Sequence, residues 1–266
     1  MENAMLFNLS ALMALVPAAI VGYRRTAARD TIFWLVTAVA LAGPAAWSFV
    51  QLAGEWRTGL SSALWVTIAA SMALYAILSL ATREVWRLAP LLMPYLVLLG
   101  LIAVVWSRAP GRPMSADAPL AWIEAHIAVS VLTYALLTVA AVAGVAVFLQ
   151  ERAMKGRRPT RLTALLPSVA AAELMQVRFL IATEVVLGLG LATGMASQYL
   201  ETGDLFVFTH KILLSVIAFV VIGVLLVAHF RTGIRGRRAA RYVLIAYLML
   251  TLGYPGVKFV TDVLVG

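Results

Sequence analysis

The chain has 266 residues, of which 63% are hydrophobic and 12% charged, with a formal net charge of +9. Folding on itself could not bury that apolar excess, so a soluble globular domain is excluded. With no cysteine, disulfides, thiolate metal sites, iron–sulfur clusters and Cys-x-x-Cys-His haem attachment are excluded too.

About 20 mostly apolar residues cross the hydrocarbon core, and the sequence predicts about eight such runs in one all-α, polytopic membrane domain. The first is Met5–Tyr23, closed by Arg24, Arg25 and Arg29. Glu2 stands where a signal peptide would be basic, so no cleaved signal is expected. Thr31–Leu52 is the second run, with Pro44 inside it, and Leu60–Ala81 is the third. Leu88–Trp106 is the fourth, with breaks expected at Pro90 and Pro94. Ile123–Leu149 is the fifth and opens beside Glu124 and His126. A basic stretch from Gln150 follows, and the apolar residues Leu162, Leu165, Leu166 and Val169 recur at helical spacing. That pattern predicts an amphipathic interfacial segment over 159–178. The sixth run is Phe179–Met195, the seventh 208–230 and the eighth Tyr242–Val265, kinked at Pro255.

Alternate loops divide the basic residues unequally: sixteen of the 21 Lys and Arg fall in one set. Positive charge retains loops in the cytoplasm, which predicts both termini outward. In this setting the net charge speaks for anionic membrane lipid and not for nucleic acid. Trp56, Trp106 and Trp122 then sit at the outer interface, and Trp34 and Trp86 at the inner one.

Only three histidines occur. His126 and His210 each open a span at the outer face, whereas His229 ends the seventh span, where a loop or headgroup contact is expected. Two imidazoles from neighbouring helices can ligate a haem iron axially. Lys211, Lys258, Arg108 and Arg112 lie on the same side and would meet the propionates. Lys258 interrupts an apolar helix, so it needs a partner, and Asp262 stands one turn on. A single interfacial histidine is more often simply solvated; two on one face make ligation an equal alternative. Glu184 lies inside the sixth span, where pairing with a cytoplasmic Arg is favoured over a proton or substrate path. Tyr134, Tyr199 and Tyr254 suit a propionate or quinone head, or serve as interfacial anchors. Small residues at Gly188, Gly190, Ala192, Gly194 and Ala196 favour helix packing within the monomer over dimerisation. No Walker A, HExxH or GxSxG motif occurs.

The stretch AWIEAHIAVSVLTYALLTVAAVAGVAVFLQERAMKG resembles the histidine-led fifth span of the cytochrome c assembly superfamily, which includes CcsA, CcmC and HemX-like proteins. LLPSVAAAELMQVRFLIATEVVLGLGLATG, FTHKILLSVIAFVVIGVLL and GIRGRRAARYVLIAYLMLTLGYPGVKFV resemble its YpjD branch. The resemblance covers most of the chain from Trp122 onward. It implies a multi-pass protein of the bacterial inner membrane that handles haem at the outer face, with His126 matching the first outer histidine. The family's assembly members also carry a tryptophan-rich loop between the sixth and seventh spans. Here Ser197–Thr209 has no tryptophan, and none follows Trp122. The resemblance therefore implies non-covalent binding of haem b or porphyrin, for transfer, sensing or an accessory step, rather than catalysis of haem attachment. On this reading His126 and His210 are the axial ligands. Two other functions fit the residues: a scaffold or regulator meeting a cytoplasmic protein through 150–178, or a small-molecule transporter using Glu184 and the proline-broken fourth span.

Overall fold

The computed structural model describes residues 2–24, 29–53, 57–107, 112–113, 120–203 and 209–260. Arg108, residues 204–208 of the polar break, and Asp262 lie outside the described residues, as do the side chains of Arg112 and Tyr254. The fold is all-α apart from one two-residue antiparallel pair, Arg57–Thr58 with Arg112–Pro113, which ties two loops together at one end.

The first helices are α1 (Glu2–Arg24), α2 (Thr31–Leu52), α3 (Leu60–Ala81) and α4 (Ala89–Val105). Asp30 caps α2 by accepting the Phe33 N–H at 2.9 Å. A 3₁₀ turn, Val85–Leu88, leads into α4. Pro90 does not break the fourth span, because it falls in the first turn of α4, where an N–H has no helical acceptor in any case. Only Pro94 lies inside that helix. Asn8 fastens α1 to its neighbours: its Oδ1 accepts the buried indole N–H groups of Trp47 at 3.1 Å and Trp65 at 2.7 Å.

The second half is built on α5 (Leu120–Lys155), the most buried helix, which packs against α3 and against the later helices α7 (Val169–Thr202) and α9 (Gly236–Thr251). The expected amphipathic segment over 159–178 is divided. Arg161–Leu165 forms the short helix α6, the chain breaks at Leu166–Pro167, and α7 begins at Val169 with Ser168 as its cap. Gln150 holds the break, donating its amide to the carbonyls of Thr163 at 2.8 Å and Pro167 at 3.0 Å. Leu165 and Leu166 are buried, so their helical spacing reflects burial against the bundle rather than lipid. The sixth span accordingly starts ten residues earlier than the apolar run suggests, and Arg178 is an exposed residue within it.

Gly203, at φ 77°, ends α7, and α8 (His210–Thr232) follows with Thr209 as its cap. Gly233, at φ 68°, closes α8.

Seven helices among the described residues are long and apolar enough to cross a membrane, within an all-α polytopic architecture. The eighth apolar run is interrupted. After α9 comes a π-helical turn, Leu252–Gly256, around Pro255, and then α10 (Val257–Phe259). Proline supplies no amide hydrogen, and the wider turn accommodates the gap. The run still returns along α8: a Cβ at Gly253 would lie 3.2 Å from Leu214 Cβ and 3.7 Å from the Lys211 carbonyl oxygen. His126, His210 and Lys211 thus lie at one end of the bundle. The basic loops gather at the other, where Arg161 donates to the Arg24 carbonyl at 2.8 Å and Arg29 to the Ser79 carbonyl at 2.8 Å.

Candidate functional site

His126 projects from the second turn of α5 into its contact with α7, half-buried. Three features of α7 receive this end of α5. The first is a hydroxyl: His126 Nδ1 lies 3.0 Å from Thr193 Oγ1. The second is the backbone of the same residue, whose carbonyl accepts the Trp122 indole N–H at 3.1 Å. Trp122 and His126 are four residues apart and so share one face of α5. The third is empty space at Gly194, where a Cβ would stand 3.0 Å from His126 Cε1. Gly190 is the next step of this saddle, its Cβ position 3.4 Å from Val129 Cγ1. Gly188 faces the other way, with Phe219 of α8 at 3.3 Å. The small residues of the sixth span therefore serve close packing inside the monomer, and at Gly194 they also seat the histidine.

The other expected ligands are placed unequally. Lys211 is close enough to His126 to interact with it electrostatically. His210, one residue earlier, is the exposed first residue of α8 and makes no hydrogen bond among the described residues. Lys258 is half-buried in α10. His229 makes the loop contact expected of it, its Nδ1 lying 2.9 Å from the Ile234 carbonyl oxygen.

Glu184 corrects an expectation. No Arg pairs with it among the described residues. Its Oε1 sits 2.9 Å from the Cβ position of Gly223 on α8, and its Oε2 is buried with no hydrogen-bond partner. Arg29 and Arg161, at the basic end, engage backbone carbonyls instead.

Tyr134 joins a polar cluster that the sequence does not announce. Its hydroxyl donates to Thr251 Oγ1 at 2.6 Å, and Thr251 donates to the Tyr247 carbonyl at 2.8 Å. Tyr247 shares a short hydrogen bond with Tyr95 and accepts from Thr138 at 3.2 Å. The cluster joins α4, α5 and α9 just ahead of the π-helical turn. Tyr199 is exposed near the end of α7.

No group of three or more His, Asp or Glu among the described residues could hold a bare metal ion. The His126 end thus holds one seated imidazole with the Lys211 cation near enough to interact with it.

Comparison with known proteins agrees in class. An Azospirillum brasilense protein described as "Uncharacterized 28.8 kDa protein in nifR3-like 5'region" is 58% identical over 271 residues, covering 100% of both chains. No solved structure matches the chain. The family model described as "Cytochrome C assembly protein" matches residues 46–265, a range that holds His126, its seat on α7, and Lys211. With this match over most of its length, the chain belongs to the cytochrome c assembly protein family.

Proposed function

We propose that this membrane protein binds b-type haem non-covalently near the outer leaflet of the bacterial inner membrane, as a HemX-like member of its family nearest the YpjD branch. The observation that carries the reading is the seating of His126: its Nδ1 is engaged by Thr193 Oγ1 at 3.0 Å, and the ring also interacts with the Gly190 backbone carbonyl. Metal-ligating histidines characteristically hold their second nitrogen in this way. His126 is one axial ligand, and His210 from the start of α8 is the other. Lys211 and Lys258 neutralise the propionates. Bound haem supplies the iron and its redox chemistry, while the chain ligates it, orients it and offers an apolar wall. The role is transfer, sensing or an accessory step in assembly.

Haemin titration into the purified protein, followed in the Soret region, tests the reading. Saturable binding that His126→Ala abolishes and His229→Ala leaves intact is expected. Absence of saturable binding in the wild type rules it out.

A second reading rests on a different observation. Lys155–Arg161 is an unbroken exposed stretch with four basic residues. A scaffold or regulator would dock an acidic cytoplasmic partner there. Neutralising Arg157, Arg158 and Arg161 together would then release a crosslinked partner, without any haem being found.

A further inference from the structure

We infer that Thr193 is a positioning residue that fixes His126 as its Nδ1–H tautomer, so that Nε2 alone keeps a lone pair for a ligand. The inference rests on the haem reading for its purpose but not for its geometry.

Thr193 has a single hydroxyl proton. Its Oγ1 lies 3.1 Å from the Gly190 carbonyl oxygen one turn back, and donation there is the usual habit of a helical threonine. With that proton committed, Oγ1 faces His126 Nδ1 at 3.0 Å as an acceptor, so Nδ1 must carry the hydrogen. The reverse arrangement would turn the hydroxyl away from Gly190, whereas the Gly190 carbonyl, which can only accept, also interacts with the His126 ring. The backbone reinforces the position of Thr193. Its carbonyl receives Trp122 Nε1 at 3.1 Å, and the adjacent Gly194 leaves room for the ring. One residue of α7 thus engages two side chains of α5, one through its main chain and one through its hydroxyl. An imidazole in solution favours the opposite, Nε2–H form, which would block ligation until the proton moved. A partner that holds the far nitrogen of a ligating histidine typically changes metal affinity about 10–100-fold.

The three histidines make the test direct. His229 faces a carbonyl, which can only accept, so it too is an Nδ1–H form and serves as an internal reference. His210 has no hydrogen bond among the described residues and reports the solution preference. Nitrogen NMR of the haem-free, ¹⁵N-histidine-labelled protein is recorded at a pH where the rings are neutral, with His126 assigned by its loss in His126→Gln. Wild-type His126 is expected to match His229. Thr193→Val, which keeps the side-chain shape, should move it toward His210, and Thr193→Ser should restore it. A wild-type His126 in the Nε2–H form overturns the inference, even if Thr193→Val fails to fold. So does a His126 signal that Thr193→Val leaves unchanged. Haem titration of the same variants separates the two claims. A tautomer that responds in a protein that never binds haem leaves the inference standing and removes the haem reading. Tight haem binding with an unresponsive tautomer does the opposite.

Discussion

Gly194 carries the His126 ring: a Cβ at position 194 would come within 3.0 Å of His126 Cε1, closer than side chains normally pack. Gly194→Ala therefore sets two effects against each other. Alanine gains about 1 kcal/mol of helix propensity. Overpacking costs about 1–3 kcal/mol. Thermal stability should change little, while the imidazole moves and haem occupancy falls. Gly190→Ala is the control, since Val129 stands at an ordinary 3.4 Å. Circular dichroism melts and Soret absorbance per protein, measured on both variants, check the contrast.

Tyr247 is the hub of the polar cluster, bonded to Tyr95 and Thr138. Hydrogen bonds between helices in a membrane are worth about 0.6 kcal/mol each, up to about 1.7. Tyr247→Phe should cost about 1–2 kcal/mol on that scale. Tyr134→Phe, which loses the bond to Thr251 and its weaker contact with Tyr247, should cost less. Because Tyr95 and Tyr247 share one bond, Tyr95→Phe combined with Tyr247→Phe should cost less than the sum of the two. Unfolding in mixed detergent measures all four proteins.

Gly236 opens α9 at φ 62°, with its N–H donated to Glu173 Oε1 at 2.6 Å. A Cβ there would overlap Glu151 Oε1. Gly236→Ala meets both the left-handed backbone penalty, about 1–2 kcal/mol, and the displaced carboxylate. A clear loss of thermal stability is expected, larger than for Gly203→Ala, where nothing lies within 4 Å of the Cβ position.

Asn8 satisfies two buried indoles with one oxygen. Asn8→Leu orphans both N–H groups, at about 1–3 kcal/mol for each. The fluorescence of Trp47 and Trp65 should shift as α1 loosens, and limited proteolysis should cut between α1 and α2 sooner.

The helical architecture was legible because length and apolarity suffice to define a span. The caps were legible too in principle, since Asp30, Ser168 and Thr209 are residues that accept hydrogen bonds from a first turn. Sequence reasoning misplaced the start of α7. Leu165 and Leu166 have the spacing of an interfacial helix, and spacing does not say whether bundle or lipid covers a face. Pro90 misled for a related reason: a proline breaks a helix only where an amide is needed. At the site, His126 stood out because histidine is rare here. Thr193 did not, because one threonine among small residues reads as packing. Its role depends on the register of α7 against α5, which two polar contacts and a glycine reveal only in three dimensions. Glu184 was visible as an intramembrane carboxylate, but its neighbour Gly223 on α8 was not.

The most direct measurement is the visible spectrum of protein purified from haem-replete cells, compared with His126→Ala and His210→Ala. A Soret band that His126→Ala removes and His210→Ala weakens or shifts is the expected result. A wild-type protein without a Soret band, or a band that both substitutions leave unchanged, would contradict ligation at His126.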